Sequence, residues 1–198
     1  MTDPEDLCQW LTPPGVAEAF LDWARIGERD IVLEPTAGEG ALVPRRPGVL
    51  CFEIDPERVE ELRYWRPQAT VVCADFLAVP PPAQYAADVC VQNPPYAADG
   101  EGVYLLQGLR WAPRCCGLIR AGALQGRRRF DKCWSQLRLT RLACLIHRPN
   151  FQGPFGSKTL FTPQYDYIAV EVVAREVPLR YGEPTVADNV EVSWVAWR

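Results

Sequence analysis

Leu33-Glu34-Pro35-Thr36-Ala37-Gly38-Glu39-Gly40 closes a short apolar run, residues 31–34, and turns at once through two glycines. Glycine reaches positive φ at little cost, so the backbone at Gly38 and Gly40 can bend tightly and approach a ligand closely. A strand that empties into such a turn resembles the start of a nucleotide fingerprint. It is not a full GxGxxG, and no GK[ST] for a triphosphate follows. Outward from this point, apolar runs rich in Val, Ile and Cys alternate with helix-like segments. Strands are expected at 31–34, 48–54, 70–74, 89–92, 117–124, 142–147 and 167–174. Helices are expected at 16–26, 56–65, 103–112 and 128–136. This alternation predicts an α/β fold: a mainly parallel, seven-stranded sheet, helices on both faces, and a crevice at the carboxyl ends of the strands. The late stretch 190–197 reads as an edge strand.

At 198 residues the chain is expected to form one domain, 1–198, large enough to fold without disulfides. It has no apolar run of transmembrane length, and its acidic start, MTDPEDLCQW, is not a secretory signal. None of the eight cysteines forms a CxxC pair, and most sit inside apolar runs. Reduced, mostly buried thiols in a cytosol, the cell's own or a virus's host's, are the expectation. The single histidine, His147, has no ligand-spaced partner, so a metal site is not expected. The net charge of −4 hides an asymmetry. Residues 1–100 carry 7 basic and 17 acidic side chains, whereas residues 101–150 carry 10 and 2. A concentrated positive block in an acidic chain is the footprint of a polyanion partner. Asp131 is the only acid between Arg110 and Arg148, so these cations are not expected to be paired locally.

Acidic or amide side chains then recur at successive strand ends. The second strand ends Phe52-Glu53-Ile54-Asp55, where a carboxylate is placed to accept from ribose hydroxyls. The third ends Ala74-Asp75-Phe76, a carboxylate for an adenine amine beside a ring for its face. The fourth ends Asn93-Pro94-Pro95-Tyr96. Two adjacent prolines cannot continue a ladder or open a regular helix turn, so the chain leaves in a stiff extended loop. That loop offers an amide, a carbonyl and an aromatic ring, which suit an exocyclic amine on a flat ring. In a parallel sheet these ends are neighbours.

With these motifs in order, the chain resembles the S-adenosylmethionine-dependent N6-adenine DNA methyltransferases in which the cofactor motifs precede the catalytic loop. The resemblance is close over the first half and looser through Arg148-Pro149-Asn150-Phe151 and Tyr165-Asp166-Tyr167. It implies that Thr12 and Pro13 border the methionine part of the cofactor. Gly38 and Gly40 approach it through backbone, and Glu34 and Pro35 belong to the same loop, which Glu34 orders. Glu53, with Ile54 beside it and Asp55 as the weaker choice, holds the ribose, and Asp75 and Phe76 the adenine. Asn93, Pro94, Pro95 and Tyr96 form the catalytic loop. Asn93 Oδ1 and the Pro94 carbonyl accept the amine hydrogens, and Tyr96 stacks on an extruded base. Phe151 is the expected second wall, with Phe155 the alternative.

No separate target-recognition domain is expected, so specificity falls to residues 97–102, 125–136 or 152–164, or to a partner. The block 110–148, with Arg127, Arg128 and Arg129 foremost, is expected to grip DNA phosphates, which gives affinity without sequence. The same residues leave open RNA adenine, a protein glutamine amide, or a non-catalytic module that keeps the fold.

Overall fold

A computed structural model describes residues 11–96, 100–145, 151–152, 160–161, 166–180 and 190–196. The strands are β1 (Val32–Glu34), β2 (Val49–Glu53), β3 (Thr70–Cys73), β4 (Val89–Gln92), β5 (Cys115–Arg120), β6 (Leu137–Leu145), β7 (Phe151–Gln152), β8 (Leu160–Phe161), β9 (Tyr167–Ala174) and β10 (Glu191–Val195). The helices are α1 (Pro14–Trp23), α2 (Pro56–Trp65), α3 (Gly100–Gly108) and α4 (Arg127–Lys132). One sheet has eight strands in the order β10-β6-β9-β5-β4-β1-β2-β3, and β7 and β8 form a separate two-stranded ribbon. The expected count of seven is therefore one short. The edge stretch is a full member of the sheet, because β10 pairs parallel with β6 over five residues. Within the large sheet, β9 alone runs antiparallel, between β5 and β6.

Alternation builds the two cores. Val32, Val49, Cys51, Val89 and Val91 face one side, where Val16 and Phe20 of α1 and Val59 and Leu62 of α2 cover them. Leu33, Phe52, Cys90 and Cys115 face the other, against Leu105 of α3, Leu109 and Trp111. Each fully buried Leu, Val or Phe contributes roughly 1.5 to 3 kcal/mol, so a strand buried on both faces is strongly specified. This is why β1 and β4 read as unbroken apolar runs rather than alternating ones. α2 starts where predicted, because Asp55 caps it through Glu57 N at 2.9 Å and Pro56 is pre-set for the first turn. The seven described cysteines are all free thiols, most of them buried and Cys73 exposed; Cys8 and His147 lie outside the described residues. No helix among the described residues is long and apolar enough to cross a membrane, and no group of three metal-ligating side chains occurs among them.

The strand order reverses between β1 and β4. The chain fills β1, β2 and β3 outward, then returns to lay β4 on the free side of β1, with Val32 beside Val89 and Leu33 beside Cys90. The loops leaving β1 and β4 therefore diverge around a crevice at the switch point.

Candidate active site

The loop after β1 is held from below. Glu34 is 1% exposed, and its Oε1 lies 3.0 Å from both Thr36 N and Thr36 Oγ1. Thr36 Oγ1 also lies 3.4 Å from the Asn93 carbonyl, so this side chain joins the two loops. Burial pushes the Glu34 carboxyl up to about 8, the Thr36 hydrogen bonds oppose this, and the neighbouring Glu53 charge adds to it. Pro35 is buried beside it. Gly38 (φ 52°) and Gly40 (φ 79°) both take left-handed backbone. A Cβ on Gly40 would sit 2.7 Å from Leu62 Cδ2, so glycine there is demanded by packing as well as by φ.

Glu53, at the end of β2, ties this loop to its own. Its Oε2 accepts from Gly38 N at 2.7 Å and its Oε1 from Asp55 N at 2.9 Å. Ile54 is 48% exposed at the mouth, and Asp55 is taken up as the α2 cap. Arg58, buried on α2, has an Nη1 with no hydrogen-bond partner among the described residues, 3.7 Å from the Cβ position of Gly38. Asp75 is exposed and accepts from Leu77 N at 3.0 Å, opening a short 3-10 turn. Phe76, expected beside the adenine, is not exposed. It is buried among Phe52 at 5.2 Å, Trp111 at 5.6 Å and Tyr104 at 6.4 Å. A large ring following a strand is drawn into the core when an aromatic cluster waits beneath it.

Tyr104 of α3 was not legible in the sequence. Its ring lies parallel to Phe76, half-buried, and burial followed by the Asp75 and Glu53 charges pushes its hydroxyl up to about 12. It therefore stands within electrostatic reach of both carboxylates. No motif marks it, and only the rotation of α3 decides which way it faces.

The loop after β4 is a small network. Asn93 Nδ2 donates to Thr12 Oγ1 at 2.9 Å, which fastens the segment before α1 onto the crevice beside Pro13, the α1 N-cap. The Tyr96 hydroxyl donates to Asn93 Oδ1. Burial, then the Tyr167 and Glu101 groups, hold the Tyr96 hydroxyl well above its usual range, so it stays a donor. Pro94 is buried and Pro95 half-buried, which keeps the stretch extended. Behind Tyr96 stand Tyr167, 5.2 Å between ring centres, and the Arg120 guanidinium, 5.5 Å from the ring. Arg120 Nε in turn lies 2.6 Å from Oε1 of Glu101, a fully buried α3 residue. Arg120 and Tyr167 support this loop from elements remote in sequence, and Glu101 from the helix that follows it.

The basic block, expected to lack local partners, has several of its cations paired within the fold. Arg114 pairs with Glu171 at 3.1 Å, and Arg141 with the same carboxylate at 3.4 Å while packing on Trp23. Arg120 pairs with Glu101, and Arg127 lies 3.6 Å from Asp131. Glu171 reaches its two arginines from β9 and Glu101 reaches Arg120 from α3, 19 residues away, so only Arg127 is paired locally. Arg129 Nη1 donates to the Gln125 carbonyl at 3.2 Å, and α4 buries no side chain. Phe151 opens β7, opposite Phe161. Phe155, Arg148-Pro149-Asn150 and Tyr165 lie outside the described residues.

The crevice, strand order and glycine loop define a class I methyltransferase fold of the Rossmann-like type. Particular solved structures share it. A protein from Pyrococcus horikoshii proposed to be an RNA methyltransferase superposes with a TM-score of 0.61 at 18% identity, covering 88% of this chain and 99% of its own. The modification subunit of a proposed type I restriction enzyme from Vibrio vulnificus YJ016 gives 0.62 at 12% identity, over 88% of this chain and 48% of that one. A TehB-like SAM-dependent methyltransferase from Corynebacterium glutamicum gives 0.55 at 20% identity, over 80% and 88%. No protein-family model matches the sequence, and no curated protein does.

Proposed function

We propose that this chain transfers a methyl group from S-adenosylmethionine to the N6 amine of adenine in DNA. One observation carries the reading: Asn93 sits at the switch point, fastened to Thr12 through its amide nitrogen, with its amide oxygen held by a donor the substrate can replace. Bound in the crevice, S-adenosylmethionine supplies an electrophilic methyl on a sulfonium. The residues present fit such a ligand. Glu53 and Asp75 offer acceptors for the ribose hydroxyls and the adenine amine, Ile54 an apolar contact, and Arg58 Nη1 an unmet donor beside Gly38.

The adenine amine is a weak nucleophile because its lone pair is delocalised into the ring. When the target amine arrives, it takes the place of the Tyr96 hydroxyl at Asn93 Oδ1, and the Pro94 carbonyl takes its second hydrogen. Two acceptors at fixed positions aim the nitrogen lone pair at the methyl, and orientation of this kind supplies much of the acceleration in a displacement. Tyr96, backed by Tyr167 and Arg120, offers its face to the base. No general base is invoked: the groups that meet the amine, Asn93 and the Pro94 carbonyl, are neutral, and the methylated amine sheds its extra proton to water. Extrusion of the base from a duplex costs a few kcal/mol, and stacking offsets part of it.

Labelled methyl transfer to duplex DNA, single-stranded DNA, RNA and protein tests the proposal, with Asn93→Ala as control. The expected result is label on DNA adenine, lost by about 100-fold or more in the variant, with circular dichroism showing that the variant still folds. Label on RNA or glutamine reassigns the substrate. Absence of all label together with no S-adenosylmethionine binding by calorimetry refutes the enzyme reading in favour of a binding module.

A further inference from the structure

α2 ends on two exposed aromatic rings, Tyr64 at 74% and Trp65 at 67%, packed edge to face with centres 4.8 Å apart. Adjacent exposed rings form one apolar patch rather than scattered residues, and such patches rimmed by polar groups mark contact sites. Because α2 runs back from the carboxyl end of β2, these rings lie at the opposite edge of the sheet from Asn93. The residues that lead into β2 reach the same edge. Together they line an open groove of about 130 Å³ that includes Pro44, Arg45, Arg46, Trp65, Arg66 and Pro67, with no carboxylate in its lining. This volume is several times the ~30 Å³ that a water takes in the liquid, enough for a phosphate group.

The guanidinium groups here are arranged without counter-charge. Arg66 is clamped by carbonyls, donating to Gly40 O at 2.8 Å and Val43 O at 3.1 Å. Arg46 is clamped likewise, onto Asp30 O at 2.7 Å and Glu28 O at 3.0 Å. Carbonyls orient a guanidinium but do not neutralise it. Arg45 is exposed and makes no ion pair among the described residues. Burial, and next the like charge of Arg45, lower the Arg66 pKa, as expected for two cations sharing a site. Residues 1–100 are strongly acidic, with 7 basic side chains, yet three of those meet here. Fixed positive charge beside stacking rings is the pattern that holds unpaired nucleic acid.

We propose that this edge is a second nucleic-acid contact, which seats a phosphate between Arg45 and Arg66 and stacks an unpaired base on Trp65 or Tyr64. β2 alone spans about 16 Å at ~3.3 Å per residue, so a strand engaged here runs several nucleotides beyond any base at Asn93. The contact does not depend on methyl transfer. It is therefore tested by binding alone, with a thymidine-only single strand of about a dozen nucleotides that contains no adenine to methylate. Trp65→Ala is expected to weaken binding roughly 5- to 100-fold. Arg45→Ala is expected to weaken it and to flatten the slope of log affinity against log salt by about 0.7, with Arg45→Lys restoring the slope. Both residues are exposed, and circular dichroism with an unchanged Tm confirms that each variant folds. Unchanged affinity and slope in both variants overturn the proposal. So does intact binding accompanied by loss of a dimer in sedimentation, which would make the patch a protein interface. Asn93→Ala retains this binding, so failure of the catalytic reading and failure of this one are separable.

Discussion

Burial raises the pKa of the Glu34 carboxyl, and its replacement by glutamine isolates that effect. The buried group titrates near 8 against an ordinary 4.5. Between those values the native state holds a proton that the unfolded chain releases, so stability falls as pH rises from about 4.5 to 8 and is flat on either side. A shift of this size corresponds to about 3 to 5 kcal/mol at 1.36 kcal/mol per pH unit, with roughly 2 to 3 kcal/mol of it lost between pH 5 and 7. Against a typical total of roughly 5 to 15 kcal/mol this is a large fraction. Glu34→Gln copies the protonated form: its Oε1 can still accept from Thr36 N and Oγ1, and it carries no charge to desolvate. Urea unfolding followed by tryptophan fluorescence at pH 5, 7 and 9 measures the difference. The variant should match the wild type at pH 5 within about 1 kcal/mol and exceed it by about 3 to 5 kcal/mol at pH 9. Parallel pH profiles for the two proteins, or a variant weaker than wild type at pH 9, would refute the assignment of burial as the cause.

Gly40→Ala should destabilise by roughly 2 to 4 kcal/mol, from a left-handed φ and a Cβ pressed on Leu62. Gly38→Ala, with its nearest neighbour at 3.7 Å, should cost less, and equal losses of Tm would contradict the packing argument. Arg120→Met strands Glu101 in the core and should cost roughly 2 to 4 kcal/mol. Adding Glu101→Gln should recover a good part of this in a double-mutant cycle, and additive losses would show that the pair is not coupled.

Much of this protein is legible without tertiary structure. Residues 89–92 and 167–174 appear as the strands expected from apolar runs, and Pro56 to Trp65 as the expected helix, because Asp55 and Pro56 set its start locally. The order of Glu34–Gly40, Glu53, Asp75 and Asn93 at consecutive strand ends is also a property of the chain, since a parallel sheet brings successive carboxyl ends to one edge. What lay beyond the sequence depends on partners distant in it. Phe76 turns into the core because Phe52 and Trp111 meet there, which no window around residue 76 contains. Arg114 and Arg141 look unpaired along the chain, yet Glu171 stands between them once β9 inserts beside β6. Tyr104, Arg120 and the Arg45–Trp65 edge acquire meaning only from the side of the sheet on which α2 and α3 lie. The sequence alone determined the alternation of elements and the chemistry at the strand ends, because both follow from local propensity and chain order. Only the tertiary structure decided which charges are neutralised and which rings remain exposed, because both depend on contacts between residues that the chain keeps far apart.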